Sequence, residues 1–302
     1  MKHAPAVPTS SDTVTISARV VDVPGTSISV DLRNREPTSN TIAFQTINMS
    51  LISGNTYAAT LPAMADGTLI EFYIEATDTT LTRTWPAATD QGQIANALYQ
   101  VDDEVHDSSL PFYRLLMTIP DEADYASFNK DSNAQVNTTL IAYDCQETKI
   151  RYQCGTRIRG KGSRSRTPRP MRLKLPRDHP LDGITDMNFN MFQSHVQTLG
   201  QKLFQAAGLP LVKAWQIQIR RNVAHLLVYS NNPENYGYWV RLQVMNGNYP
   251  SEAFPEDSGG NLYKGGRLRH RDGLDYQTQR WDKRSNDSME ITPISMESWT
   301  CL

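Results

Sequence analysis

Cysteine is scarce in this chain: Cys145, Cys154 and Cys301 are the only three in 302 residues. Three thiols do not build a disulfide scaffold, and no Cys/His spacing has the pattern of a zinc site. Cys145 and Cys154 flank a turn at 146–151, which leaves two readings: a disulfide in an exported protein or, the more common case, two buried thiols. The six histidines (His3, His106, His179, His195, His225, His270) contain no pair at metal-ligand spacing, so each reads as surface or satisfied core. No apolar run approaches the roughly 18 residues that a bilayer span requires. The opening MKHAPAVPTSSDT has no apolar h-region and reads as a Pro/Ser linker inside a longer protein, so that Met1 is not expected to be a natural start. An excess of charge is missing too. Thirty basic and 32 acidic residues leave a net charge of −2, which argues against a general nucleic-acid or membrane-surface binder.

The length allows two domains, each with its own core. Residues 13–100 read as all β: 13–21 alternates Val14, Ile16, Ala18 and Val20 on one face, and 27–32, 41–47, 57–61 and 68–76 follow, separated by turns such as Pro24-Gly25 and Asp66-Gly67. Short strands at this spacing predict an immunoglobulin-like β-sandwich, with 1–12 as linker and 101–112 as a connector holding the acidic run Asp102-Asp103-Glu104. Nothing in the sandwich carries chemistry, and its expected role is spacing or adhesion. Residues 113–290 read as α+β. Strands are expected at 113–119, 135–142, 149–159, 187–191, 212–219, 224–229 and 238–244, with helices at 121–129 and 194–207. The second helix places Val196, Leu199, Leu203, Phe204 and Ala207 on one stripe expected to face a core.

The most informative stretch is 157–175, RIRGKGSRSRTPRPMRLKL. Six arginines and two lysines surround two glycines and two prolines before an alternating strand. Such a turn exposes backbone N–H groups beside guanidinium groups, a combination suited to phosphate. The plainer alternative is a solvated basic loop on a two-stranded ribbon.

Motifs C-terminal to the basic turn give it a context. The order RxRGxGSR (157–164), NFN (188–190), QTLGQKLFQAAGLP (197–210), GYWVRLQV (237–244) and FPEDSGGNLYKGG (254–266) resembles the CotH family of secreted atypical kinases, over roughly 140–287. The resemblance implies an atypical-kinase-like α+β domain, ATP with Mg or Mn, a protein Ser or Thr hydroxyl as acceptor, and an extracellular or cell-surface location. It makes Arg159, Gly160, Lys161, Gly162, Ser163, Arg164, Arg169, Gln243 and Lys264 the nucleotide-site candidates. Two positions depart from the family pattern. Arg169 stands where members often carry Lys, a change that is not conservative, and Gln243 stands where Glu is usual and cannot form an ion pair. The family's metal-binding and catalytic aspartates lie C-terminal of GNLYK, beyond Leu302, so this chain alone is expected to be inactive. Residues 291–302 have no period and read as an aberrant tail, as a frameshift near Glu290 would leave. His270-Arg271-Asp272 spells the HRD of ordinary kinases, but Gln277 stands where its Asn would be, so the match is read as chance. The rival reading is a non-catalytic surface scaffold in which Arg159, Lys161, Arg164 and Arg169 grip an acidic or phosphorylated partner. A weaker third, carbohydrate adhesion, rests on Trp85 and scattered tyrosines.

Overall fold

The computed structural model describes all residues except 22–26, 40, 91, 106–108, 145, 161, 210–211, 227–237, 246–247, 260–262, 266–267, 272–274, 279–280 and 284–302, with the backbone alone at 225, at 248 and in the strands beyond 262. It divides into Met1–Val244 and Met245–Leu302, and the chain is mostly β.

The first nine strands are β1 (Lys2–Ala4), β2 (Val14–Arg19), β3 (Ser29–Arg35), β4 (Gln45–Asn48), β5 (Ser50–Ser53), β6 (Thr56–Leu61), β7 (Leu69–Thr77), β8 (Thr82–Trp85) and β9 (Ala97–Gln100). They form one sheet in the order β1-β2-β6-β5 and a second in the order β4-β3-β7-β8, with β9 also on β7. The period-two pattern decides which faces meet. Val14, Ile16 and Ala18 of β2 and Ala59 and Leu61 of β6 pack against Val30 and Leu32 of β3 and Ile70, Phe72 and Ile74 of β7 in one core. Each of the larger side chains, fully buried, contributes about 1.5–3 kcal/mol.

The remaining strands of this unit are β10 (Phe112–Leu116), β11 (Val136–Tyr143), β12 (Thr148–Ile158), β13 (Met171–Lys174), β14 (Asp186–Asn190), β15 (Ala214–Arg221), β16 (Ala224–His225) and β17 (Trp239–Leu242). They run β10-β11-β12-β13-β14-β17-β15, and β10 pairs in parallel with β15. That pairing closes a seven-stranded barrel. Its interior holds Tyr113, Leu115, Leu140, Ile158, Met171, Leu173, Phe189, Ile217 and Trp239. Helix α1 (Ile119–Ser127) is capped by Thr118, whose hydroxyl accepts from the Asp121 N–H at 3.1 Å. Helix α2 (Ser194–Ala206) lies against β15 and β17. The stripe read as core-facing is exposed: Val196 49 %, Leu199 60 %, Leu203 63 % and Phe204 52 %, with Ser194 the buried residue.

The sandwich and the barrel share packing. Tyr152 and Ile150 of β12 belong to the sandwich core, and Leu98 of β9 clusters with Leu116 and Ile141 of the barrel. The Leu98 N–H donates to Thr139 Oγ1 at 3.0 Å, and Asn137 Nδ2 donates to the Asn96 carbonyl at 2.8 Å. The stretch read as connector carries a buried ion cluster, with Asp102 taking both Arg114 of β10 and Arg220 of β15. The stretch read as linker supplies β1, which pairs with β2. Cys154, on β12, is a free buried thiol that burial pushes up to about 12, so it is inert at neutral pH. Cys145 lies outside the described residues.

His3 of β1 makes the same join at the other end. Its Nε2 faces the Ala6 carbonyl at 3.0 Å, so Nε2 carries the proton and Nδ1 accepts from the Tyr152 hydroxyl at 2.6 Å. Burial lowers the imidazole pKa from 6.5 to about 4. Because the folded pKa lies below the unfolded one, the unfolded chain takes up the proton first. Stability is therefore full above pH 6.5 and is lost as pH falls toward about 4, by about 3 kcal/mol in total. Denaturation of the wild type and His3→Gln across that window checks this: the gap between them is expected to shrink on acidification, and parallel curves contradict it.

The second unit contains α3 (Asn248–Ala253) and strands β18 (Tyr263–Gly265), β19 (Leu268–Arg271), β20 (Asp275–Thr278) and β21 (Trp281–Lys283), with β18 antiparallel to β21 and β19 to β20. No helix among the described residues is long and apolar enough to cross a membrane.

Candidate functional site: the basic turn between β12 and β13

Two backbone features shape the turn. The Arg159 N–H donates to the Pro170 carbonyl at 2.9 Å and closes its neck. Gly160 sits at φ +97°, and a Cβ there would collide with Ser163 Oγ, so only glycine fits. A single 3-10 turn, Gly162–Ser165, comes next. Gly162, by contrast, has open space where a Cβ would sit. Lys161 lies outside the described residues.

Arg164 and Arg169 both hold backbone carbonyls. Arg164 donates through Nε to the Gly160 carbonyl at 2.9 Å, through Nη1 to the Lys130 and Ser132 carbonyls at 2.9 and 3.1 Å, and through Nη2 to Asn133 Oδ1 at 2.6 Å. Arg169 Nη1 donates to the Phe128 carbonyl at 2.6 Å. Both guanidinium groups tie the turn to the loop after α1, and among the described residues neither has an ion-pair partner. Arg164→Ala is expected to cost about 0.5–1.5 kcal/mol, because water can replace the guanidinium at these largely exposed acceptors. Urea denaturation checks the figure, and an unchanged midpoint contradicts it.

Gln243 is not brought to the turn. Gln243 Oε1 accepts from the Lys213 N–H at 3.1 Å, and its own backbone N–H donates to the Lys213 carbonyl at 2.9 Å, so it fastens the start of β15. It comes after Leu242, which pairs with Asn188, then Arg172, then Arg157 across successive strands. Three strand spacings, about 14 Å, separate the two ends of that row. Lys264 lies in β18 of the second unit, and its side chain is outside the described residues.

Three arginines do come together: Arg159, which sequence reasoning named, and Arg157 and Arg172, which it missed. Arg157 and Arg172 are direct cross-strand partners, and Arg159 is the next outward position after Arg157. Like charges directly opposite in a sheet are destabilising. One carboxylate answers them: Asp186 Oδ1 accepts from Arg172 Nε at 3.0 Å and Nη2 at 2.8 Å. Arg157 Nη1 donates to Asn133 Oδ1 at 3.2 Å and the Ile158 carbonyl at 3.2 Å. Among the described residues the Arg159 side chain has no hydrogen-bond or ion-pair partner. Burial, then Arg172 and a neighbouring arginine, lowers the pKa of both Arg157 and Arg159. The signal that would have found them is the strand period itself, which sets Arg157 on one face of β12 with Arg172 opposite, and Arg159 follows just past the strand's end.

This arrangement suits an oxyanion. It does not extend to a metal, since among the described residues no three His, Cys, Asp or Glu side chains gather as a divalent ion requires.

No protein-family model matches the chain, and no curated protein matches it. Among solved structures it is similar to a cycloalternan-forming enzyme from Listeria monocytogenes in complex with a pentasaccharide substrate, at 10% identity and a TM-score of 0.23, covering 64% of this chain and 21% of that one. The chain thus spans about a fifth of that enzyme's length. So faint a likeness carries no argument about fold or activity.

Proposed function

We propose that this chain is the N-terminal portion of a CotH-like secreted protein kinase, preceded by an immunoglobulin-like module, and that its basic turn holds the phosphates of ATP. The observation that carries the reading is the under-neutralised arginine face beside the glycine turn, in a chain whose motif order is the family's. Phosphoryl transfer depends on held phosphates, a metal and an oriented acceptor. The arginines fit the first of these. The described residues do not fit Mg or Mn, so no transfer step is assigned to this chain, and the complete protein would supply the carboxylates and the Ser or Thr phosphorylation. An extracellular or cell-surface location comes from the same resemblance.

One observation favours the rival, a non-catalytic surface scaffold: Arg164, Arg169 and Gln243 are engaged in holding backbone. A scaffold would use the same arginine face for an acidic or phosphorylated partner. Equilibrium dialysis of the intact chain with labelled ATP and Mg or Mn separates the two. The kinase reading expects retention that unlabelled ATP displaces and pyrophosphate displaces less well, with no label transferred to the chain or an added acceptor protein. Retention that is absent, or indifferent to the base and abolished by moderate salt, favours the scaffold.

A further inference from the structure

We propose that Arg157, Arg159 and Arg172 form a binding site for one phosphate group, with Arg164 and Asn133 as positioning residues. The chemical class of the anion rests on the proposed kinase function, while two of the three residues, Arg157 and Arg172, are not among those that the sequence pointed to. Two of the three guanidinium groups are held in place from behind. Asp186 takes Nε and Nη2 of Arg172, and Asn133 Oδ1 takes Nη1 of Arg157. Asn133 is itself held by Arg164 Nη2 at 2.6 Å, and Arg164 is locked to four backbone carbonyls, those of Gly160, Lys130, Ser132 and Ile158. This leaves Nη1 of Arg172, Nε and Nη2 of Arg157 and the whole fork of Arg159 without a protein partner among the described residues.

Three such cations with one carboxylate among them are costly to keep together in the empty protein. Burial weakens their hydration, and the cross-strand pair Arg157–Arg172 adds repulsion. A doubly charged phosphate offers several acceptor oxygens to planar N–H forks and removes that repulsion, whereas a neutral ligand does neither. Lys174, exposed two residues along β13 from Arg172, adds a further cation on that side of the strand.

The test uses the intact chain and pyrophosphate as probe, by calorimetric titration and thermal melting, on wild type, Arg157→Gln, Arg159→Gln and the sandwich control Arg83→Gln. Saturable binding is expected in wild type and Arg83→Gln, weakened at least about ten-fold in each of the other two variants. Without anion, Arg159→Gln is expected to melt no lower than wild type, because it removes an unpaired charge, and pyrophosphate is expected to raise the melting temperature of wild type alone of the two. Wild-type affinity in both Arg157→Gln and Arg159→Gln, or no binding by wild type, overturns the site. ATP as a second probe separates the two claims. If it binds no better than pyrophosphate while the arginine dependence holds, the phosphate site stands and the nucleotide reading falls. If ATP binds wild type and both variants alike, the nucleotide reading stands and this site falls.

Discussion

A chain beginning at residue 105 is expected not to fold. The barrel would lose the sandwich surface that covers Tyr152, Leu116 and Ile141, which are at most 9 % exposed, and the side chains that answer Arg114 and Arg220. Fully exposing each of the three costs about 1.5–3 kcal/mol. Together these approach the whole stability of an ordinary domain, about 5–15 kcal/mol. Circular dichroism of residues 105–302 should show no cooperative melt at temperatures where the full chain is folded. A cooperative transition within a few degrees of the full chain's would mean that the two β units are independent and that the sandwich is a spacer after all.

The second large effect is expected at Asp102. Its side chain is 3% exposed and contacts both Arg114 and Arg220, while Glu104, at 50% exposed, contacts Arg220. Burial, then the neighbouring Arg220, lowers the Arg114 pKa to about 10, so the two cations already oppose each other. Asp102→Ala removes the central anion and is expected to cost about 3–5 kcal/mol, since the uncompensated charges stay buried. Asp103→Ala, one residue on, removes exposed hydrogen bonds to Ser10 and should change little. Equal midpoints for Asp102→Ala and wild type in urea would show that the cluster contributes nothing. Replacing Asp102, Arg114 and Arg220 together by apolar residues of similar volume should recover much of the loss, because the penalty belongs to the unmatched charges and not to the vacated space.

These contacts also show where the sequence was legible. Strands β2, β3, β6 and β7 could be read because each has one face in a core and one toward water, and alternation records that difference. Strand β9 could not: Ala97, Leu98, Tyr99 and Gln100 are all buried, so the alternation vanishes and the segment resembles part of the run toward a connector. Helix α2 was legible as a helix from its period, but the period does not say what an apolar stripe faces, and here the stripe is exposed. Barrel closure was invisible because Phe112 pairs with Gln218 across about a third of the chain, and no local pattern encodes so distant a partner.

At the site, Gly160 was readable because a tight bend demands positive φ. The carbonyl contacts of Arg164 and Arg169 were not legible, because a long guanidinium side chain satisfies a loop's own carbonyls as readily as a ligand. Which of six nearby arginines remain under-neutralised depends on register and on the single carboxylate Asp186, and composition reports neither.

Whether the arginine face beside the glycine turn holds the phosphates of a nucleotide decides between kinase and scaffold. A thermal-shift titration of the intact chain with Mg-ATP and Mn-ATP, against pyrophosphate at matched ionic strength, asks this directly. Nucleotide binding at this face predicts a saturable rise in melting temperature that is larger with the adenosine attached. No shift, or an equal shift with pyrophosphate, contradicts it and leaves a basic scaffold as the better description.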